Sequence, residues 1–261
     1  MPFADIRGQR IHFQDSGGSG PPVVLAHGFL MDQSMFDRQV EALTPAFRVI
    51  RWDGRCFGQT EEDGRPFTYW DAADDCLALL DHLGLARAVL GGMSQGGFLA
   101  LRAALKAPER VKALVLMSTQ AGVDDPAVLA GYRGMLEQWT TIGPVDPLVE
   151  TLAGIILGHP EHWEPWTSRW RSMPKERFLQ AGRCLLERDD ITARVGAIPC
   201  PAIVIHGDAD QAIALPRSRA LYEALPGRTA FVEVRGAAHA ANLTHFEQVN
   251  PPLLEFLRAH A

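Results

Sequence analysis

A serine between two glycines is the residue in this chain best placed to act as a nucleophile. Ser94 stands at the centre of the stretch Gly92-Met93-Ser94-Gln95-Gly96. A short apolar stretch typical of a buried strand, residues 88–90, precedes it, and a stretch with helical spacing, residues 98–105, follows. A strand, a sharp turn and a helix in this order lift a serine hydroxyl clear of a sheet, and only glycine leaves room beside so tight a turn. We therefore predict that Ser94 is a nucleophile rather than an ordinary serine in a glycine-rich loop.

A serine hydroxyl is a weak nucleophile until a base removes its proton, and histidine is the base suited to neutral pH. Of the nine histidines, His239 follows a strand-like stretch, residues 231–234, in a loop just before the last helical stretch. A loop at the same sheet edge can bring its ring to Ser94. Three other histidines lack that placement and are expected to be, in turn, a strand-end, a helix-surface and a tail residue: His206, His245 and His260.

A carboxylate must hold the imidazole in the right tautomer and stabilise the imidazolium that forms. Asp208 and Asp210 both follow the apolar stretch at residues 203–205, and either could stand at the sheet edge. Asp124 is a weaker third candidate, more simply explained as a solvated loop acid beside Asp125. The residues alone leave the choice between Asp208 and Asp210 open.

The negative oxygen of an acyl-transfer intermediate needs two backbone N–H donors already in place. We expect the first from Gln95, which follows the nucleophile and lies at a helix N-terminus. The second is expected from Phe29, in the loop His27-Gly28-Phe29 that follows an apolar strand. His27 is predicted to hold that loop by hydrogen bonds rather than to act as a base.

Strand-like stretches that alternate with helical stretches must position these residues, and this pattern is typical of a parallel sheet with crossover helices. The predicted strands are residues 6–14, 22–26, 47–52, 88–90, 111–117, 201–206 and 229–234. The predicted helices are residues 34–43, a helix that begins at the Thr68-x-x-Asp71 capping box and ends at Gly84, residues 98–105, and a last helix from near Thr244-x-x-Glu247.

The alternation stops between residues 121 and 198, where several helical stretches are separated by glycine and proline. We predict an α/β fold in which a mostly parallel central sheet has helices on both faces and a helical cap is inserted. The core domain comprises residues 1–120 and 199–261, and the cap residues 121–198. Four of the six tryptophans lie in the cap, where we expect most to be packing residues and a fraction to line a substrate pocket: Trp139, Trp163, Trp166 and Trp170.

Composition limits the classes of partner. The 261 residues are 47% hydrophobic and carry a net charge of -6, so no basic face is expected to bind nucleic acid. The N-terminal stretch lacks the layout of a secretory signal, and no apolar run approaches the ~20 residues of a membrane helix. The four cysteines are scattered without a CxxC pair, so we expect buried, reduced thiols in a cytoplasmic protein and no metal site.

The motifs together resemble those of the α/β-hydrolase superfamily, especially small bacterial carboxylesterases, cofactor-free haloperoxidase-like esterases and 3-oxoadipate enol-lactonase-like enzymes. The resemblance spans nearly the whole chain and rests on His27-Gly28-Phe29, Trp52 to Gly58, Gly92 to Gly97, Gly207-Asp208-Ala209-Asp210 and Gly236-Ala237-Ala238-His239. It implies that the acid is the aspartate of a G-x-x-D pattern, Asp210, and that Phe29 and Gln95 supply the oxyanion hole.

Two positions depart from the family pattern. Cys56 stands where the D-x-R-G-x-G motif usually has glycine, so its loop is expected to differ in conformation. Pro251-Pro252 interrupts what is usually one continuous final helix, and we expect a break or kink there.

The resemblance implies a serine esterase that acts on a small or medium carboxylic ester through an acyl-enzyme, without a metal or organic cofactor. The expected partner is a small-molecule ester or lactone, with no membrane partner, and a homodimer is compatible with the sequence. A lactonase or C–C bond hydrolase with the same triad is the alternative, and residues 239–243 are similar to an enol-lactonase segment. A ligand receptor built on the same fold is a further alternative, whereas the competent residue at every triad position disfavours a pseudoenzyme.

Overall fold

Eight strands form one sheet in the computed structural model, which describes residues 3–61 and 63–261. The strands are β1 (Phe3–Ile6), β2 (Gln9–Asp15), β3 (Pro22–Ala26), β4 (Arg48–Trp52), β5 (Ala88–Met93), β6 (Val111–Met117), β7 (Ala202–Gly207) and β8 (Arg228–Val234). Their order is β1-β2-β4-β3-β5-β6-β7-β8. β1 and β2 pair antiparallel, β2 pairs antiparallel with β4, and the pairs from β4 through β8 are parallel. This confirms the predicted α/β fold.

Helices cover both faces of the sheet. They are α1 (Asp37–Leu43), α2 (Tyr69–His82), α3 (Gln95–Lys106), α4 (Pro126–Ile142), α5 (Asp146–Leu157), α6 (Trp166–Arg171), α7 (Leu179–Leu186), α8 (Leu215–Ala224), α9 (Ala241–Thr244) and α10 (Phe246–His260). Alternate residues of the apolar strands enter two separate cores, because successive side chains of a strand point to opposite faces. Leu114 and Leu116 pack with α2 and α3, and Ala113 and Val115 pack with α1 and α10.

The sheet order brings the candidate residues to one edge. β5 lies between β3 and β6, and β7 lies between β6 and β8. Because these strands are parallel, the loops that follow them all emerge at the same edge of the sheet. The loops after β3, β5, β7 and β8 carry Phe29, Ser94, Asp210 and His239.

The segment between β6 and β7 contains α4 to α7 and, within its described residues, no strand. Side chains of this segment bond to backbone carbonyls of the sheet-edge loops. Trp170 Nε1 donates to Leu30 O at 2.7 Å, and Arg177 donates to Cys56 O and Gly58 O at 2.9 and 2.6 Å. These contacts fix the segment above the sheet edge, and its description as a separate cap domain stays a prediction.

The chain ends differ from the sequence prediction. The single strand predicted over residues 6–14 is a hairpin of β1 and β2, because Arg7 and Gly8 take positive φ values of 51° and 78° and turn the chain. The capping box at Thr68 is confirmed, but no side-chain bond caps α10, where Thr244 Oγ1 instead lies 3.3 Å from Ala240 O. Met1 and Pro2, predicted to belong to the core domain, lie outside the described residues.

The predicted break at Pro251-Pro252 is wrong, since α10 runs as one helix from Phe246 to His260. A proline inside a helix costs about 3 kcal/mol. Three of the buried side chains of α10 lie on both sides of the prolines: Val249, Leu253 and Phe256. Each contributes about 1.5–3 kcal/mol by its burial, so packing holds the helix together.

Cys56 occupies the left-handed conformation that favours glycine, with φ at 73°. A side chain in this conformation costs of the order of 1–3 kcal/mol, and the surrounding contacts must supply it. The bond that Arg177 donates to Cys56 O is one such contact.

Candidate active site

The backbone at Ser94 is strained, with φ at 53° and ψ at -115°, between the end of β5 and the start of α3. Neighbouring chain segments crowd this turn so closely that a side chain at Gly92 would collide with the Gly96 backbone. A side chain at Gly96 would collide with the carbonyl of Ala26. The two glycines are therefore required by space, as the sequence predicts for a turn that presents a serine.

Two hydrogen bonds hold the turn in place. The N–H of Ser94 donates to Met117 O at 2.9 Å, and Thr119 Oγ1 donates to Ser94 O at 2.9 Å. Both partners lie at the end of the neighbouring strand β6 or just beyond it, so the sheet itself fixes the serine.

His239 and Asp210 are joined by a hydrogen bond of 2.8 Å between Nδ1 and Oδ2. The second oxygen of Asp210 accepts the backbone N–H groups of Ala212 and Ile213 at 2.8 and 3.0 Å. Burial acts to raise the pKa of Asp210, but the adjacent His239 ring and its hydrogen bond outweigh it, and the pKa lies below its ordinary value. Asp210 is thus a carboxylate at neutral pH that orients the imidazole.

The other two candidate acids do not contact His239. Asp208 is exposed, and its Oδ1 accepts the N–H of Gly236 at 2.7 Å, which holds the loop before His239. The expectation that Asp124 is a solvated loop acid is wrong. Its side chain is 7% exposed and pairs with Arg188 at 2.6 Å, because the returning chain at residues 187–191 covers it.

Ser94 and His239 both line one cavity below the α4–α7 segment. Because His239 Nδ1 bonds to Asp210, Nε2 is the ring nitrogen left to act on the serine. Within the described residues no hydrogen bond joins Ser94 Oγ to this ring. Such bonds are often long without substrate and tighten when substrate binds.

The predicted oxyanion donors flank the serine. Gln95 is the first residue of α3, and its side chain turns into the core, where Oε1 accepts from Tyr69 at 3.2 Å. Phe29 lines the cavity. His27 holds this loop as predicted, since Nδ1 donates to Gly28 O at 2.8 Å and Nε2 accepts from Gly54 N at 2.9 Å.

The cavity has a volume of about 110 Å³ and a largely apolar wall. The core contributes Phe29, Leu30 and Phe98, and α4, α5 and α7 contribute most of the remainder. Of the four cap tryptophans only Trp139 is among the lining residues. Trp163 and Trp170 instead donate their indole N–H groups to Gly158 O and Leu30 O, and the Arg169 guanidinium stacks on Trp166.

The base is also tied to the α4–α7 segment. The N–H of Ala240, the residue after His239, donates to Ile156 O at 2.8 Å, near the end of α5. Ile156 itself lines the cavity. One helix end therefore contacts both the substrate space and the loop that carries the base.

Sequence reasoning missed the buried pair of Asp124 and Arg188. The stretch Glu187-Arg188-Asp189-Asp190 is highly charged and reads as solvent-facing. Arg188 instead has only 2% of its side chain exposed, with its guanidinium 4.7 Å from the centre of the Phe98 ring. No local pattern signals this contact, because the two partners are 64 residues apart.

Metal ligands and membrane spans were also sought over residues 3–61 and 63–261. No group of three or more His, Cys, Asp or Glu side chains there is arranged to hold a metal ion. None of the helices in these ranges combines the length and apolar character needed to cross a bilayer. The buried thiols are poor rival nucleophiles, because burial raises the pKa of Cys76 to about 12 and that of Cys200 to about 11.

Comparison with known proteins places the geometry in context. A family model described as alpha/beta hydrolase fold matches residues 21–246. A 2-hydroxy-6-oxononadienedioate/2-hydroxy-6-oxononatrienedioate hydrolase of Burkholderia vietnamiensis is 30% identical over 95% of this chain and 91% of that protein.

Two solved structures are similar over nearly their whole length. A thermophilic esterase from Thermogutta terrifontis has a TM-score of 0.88 and 32% identity, covering 97% of this chain and 95% of that one. An enol-lactonase from Burkholderia xenovorans LB400 has a TM-score of 0.89 and 27% identity, covering 98% of this chain and all of that one.

Proposed function

Because the chain belongs to the α/β-hydrolase fold family, we propose that it is a serine esterase that cleaves small or medium carboxylic esters through an acyl-enzyme. One observation carries the proposal. The hydrogen-bonded pair of His239 and Asp210 lines, through His239, the same apolar cavity as Ser94 on its strained turn. The three residues then act as nucleophile, base and orienting carboxylate.

In the first half of the reaction, Ser94 Oγ attacks the ester carbonyl carbon while His239 Nε2 takes the hydroxyl proton. The carboxylate of Asp210 stabilises the imidazolium that forms. The carbonyl oxygen becomes negative and accepts hydrogen bonds from the N–H groups of Phe29 and Gln95. When the C–O bond breaks, His239 gives its proton to the departing alkoxide and the alcohol leaves.

In the second half, water attacks the acyl-enzyme and His239 again serves as base. The tetrahedral intermediate collapses, the bond to Ser94 Oγ breaks, and the proton returns from His239 to the serine. One ester and one water yield one acid and one alcohol, so the cycle needs neither metal nor organic cofactor.

The cavity wall supports a preference for uncharged, apolar groups. Its charged residues Asp124 and Arg188 pair with each other, so the wall offers no free charge to a substrate carboxylate. An apolar protein cavity of about 150 Å³ holds a benzene molecule, so the space of about 110 Å³ fits a group of a few carbon atoms. We therefore expect esters of short aliphatic acids to be favoured.

A lactonase that uses the same residues is the second candidate. The whole of the Burkholderia xenovorans enol-lactonase aligns with 98% of this chain, which favours this candidate among the alternatives. The chemistry differs only in that the leaving alcohol stays attached to the acyl group.

A substrate panel tests the proposal. Purified protein is assayed with p-nitrophenyl esters of increasing chain length, simple lactones and vinylogous diketones, the substrates of C–C hydrolases. An esterase turns over short esters many times, and the ratios of kcat/KM separate it from a lactonase or a C–C hydrolase. A ligand receptor would release about one product per protein and then stop, which would overturn the proposal.

A further inference from the structure

A second histidine lies behind the candidate acid, out of reach of the cavity. His206, near the end of β7, is fully buried. Its Nε2 is 2.8 Å from Ile213 O and 3.3 Å from Asp210 Oδ2, and its Nδ1 is 2.6 Å from Ser218 Oγ. The residue expected from the sequence to be a simple strand end therefore contacts the carboxylate that orients His239.

The partners of His206 determine where one of its protons lies. A carbonyl oxygen and a carboxylate oxygen can only accept hydrogen bonds. Since Nε2 faces one of each, in Ile213 and Asp210, this nitrogen must carry a hydrogen. Ser218 can donate to Nδ1 or accept from it, so the Nε2–H is fixed whichever role the serine takes.

This hydrogen points to the oxygen that also binds the base. Asp210 Oδ2 accepts from His239 Nδ1 at 2.8 Å, and His206 approaches the same oxygen from the opposite, buried side. His206 also holds the carbonyl of Ile213, whose own N–H donates to Asp210 Oδ1 at 3.0 Å. His206 thus supports both the carboxylate and the loop that binds it.

The contacts continue to the nucleophile turn. Ser218 Oγ lies 2.5 Å from Thr119 O, and Thr119 Oγ1 donates to Ser94 O at 2.9 Å. A continuous buried path of hydrogen bonds therefore runs from the backbone of Ser94 through Thr119, Ser218 and His206 to Asp210. It connects the candidate nucleophile and acid behind the cavity.

The charged groups around His206 come from three elements. Asp210 follows β7, Glu233 lies on β8 and pairs with Arg219 of α8 at 3.0 Å, and His239 follows β8. Burial lowers the pKa of His206, against the opposing effect of Asp210. At neutral pH the ring is therefore a neutral donor to the carboxylate.

We propose that His206 is a positioning residue for the esterase reaction: its Nε2–H holds Asp210 Oδ2 towards His239 and limits how strongly that oxygen binds an imidazolium. The inference rests on the proposed function of Ser94, Asp210 and His239. If the Nε2–H is lost, Asp210 has one donor fewer and binds the imidazolium more strongly. His239 then stays protonated to higher pH, and the carboxylate is less well oriented.

Two amide substitutions separate this role from simple packing. In His206→Asn the amide nitrogen falls near the Nδ1 position and keeps the contact with Ser218, but the donor to Asp210 is lost. In His206→Gln the longer side chain places its amide nitrogen near the Nε2 position and keeps that donor. Both variants bury an amide of similar polarity, so each is a stability control for the other.

The experiment measures kcat/KM for p-nitrophenyl acetate against pH, together with the melting temperature. For His206→Asn we expect the midpoint of the acidic limb to rise by about half to one pH unit, as for the loss of one hydrogen bond to a charged group. We expect kcat to fall by about tenfold, the smaller of the losses typical of residues that orient a reacting side chain. His206→Gln should restore the wild-type midpoint.

A lower kcat with an unchanged midpoint in His206→Asn, or equal shifts in the two variants, would show that His206 acts through packing alone and would overturn the inference. The control Ser218→Ala removes the Nδ1 partner and should leave the midpoint in place.

The titration of the His239 ring, followed by ¹⁵N NMR and assigned with a His239→Gln variant, gives the same comparison without substrate. If wild-type protein hydrolyses no ester, the proposed function fails. The ring titrations then still decide whether His206 controls Asp210.

Discussion

Asp124 and Arg188 form an ion pair of 2.6 Å in the wall of the candidate cavity, with 7% and 2% of their side chains exposed. Asp124 Oδ1 also accepts from Gln120 Nε2 at 2.7 Å. Both carboxylate oxygens are therefore bound, and the guanidinium of Arg188 is neutralised where substrate would lie.

Asp124→Asn should change the charge preference of the site. Without its partner, Arg188 can pair with a carboxylate at the end of an acyl group. Since a hydrogen bond to a charged group contributes about 1.5–3 kcal/mol, the kcat/KM for the p-nitrophenyl monoester of succinate relative to that for the butyrate ester should rise by about tenfold or more.

The control for this change is Asp125→Asn, because Asp125 is the exposed neighbour, with 74% of its side chain accessible. Its substitution should leave the ratio as it is. Loss of a buried partner also costs about 3–5 kcal/mol of the free energy of unfolding, so the ratio is measured at a temperature where both variants are folded. A folded Asp124→Asn protein with an unchanged ratio would show that Arg188 does not face the substrate.

Ser94→Ala should lower kcat by about 10⁴-fold or more, because members of a triad act as a unit. The melting temperature should change little, since one hydroxyl is removed at a cavity wall. A fluorophosphonate probe followed by peptide mass spectrometry should modify Ser94 in the parent protein and nothing in the variant. Modification of any other serine would refute the assignment.

Asp210→Asn should reduce kcat by about 10⁴-fold, because an asparagine that donates to His239 imposes the wrong tautomer. Asp208→Asn is the matched control, two residues away on the same loop, and its carboxylate binds only the backbone of Gly236 among the described hydrogen bonds. We expect that variant to retain most of its activity. A larger loss at Asp208 than at Asp210, at equal melting temperatures, would assign the acid to Asp208.

Trp139→Leu should change the preference for acyl-chain length, since Trp139 lines the cavity. One methylene in an apolar pocket is worth about 1–3 kcal/mol, and removal of an indole opens several times that space. The kcat/KM for octanoate relative to that for acetate esters should therefore rise by at least about tenfold.

Trp163→Phe serves as the comparison for the cavity variant, because its indole donates to Gly158 O and it is not among the lining residues. We expect its octanoate-to-acetate ratio to match that of the parent protein. If Trp139→Leu is folded and also leaves the ratio unchanged, chain length is selected elsewhere in the wall.

The parts of the site that could be predicted from the sequence are those set by local geometry. Gly92 and Gly96 are fixed by the space beside one turn, and that requirement is visible within five residues of chain. The alternation of strands and helices likewise predicts a sheet edge that gathers Ser94, Asp210 and His239. The choice between Asp208 and Asp210 came from the family pattern, because both follow the same strand.

Contacts between distant segments could not be predicted. Asp124 and Arg188 meet because both ends of the α4–α7 segment return to the same sheet edge, and neither residue signals this in its own neighbourhood. His206 and Asp210 are only four residues apart, but the contact depends on the loop that brings Ile213 beneath the ring. The double proline in α10 misled for the same reason, since packing against the sheet outweighs the local penalty.

The bond from Ala240 N to Ile156 O has a consequence for protein engineering. The acceptor lies near the end of α5, on a residue that also lines the cavity. A chimera that receives a foreign lid will orient its general base correctly only if the transplanted helix offers a carbonyl at the same point. Libraries that diversify substrate range should therefore keep the α5 terminus native, because shortening or rotating that helix by one residue would uncouple the imidazole from its acyl acceptor.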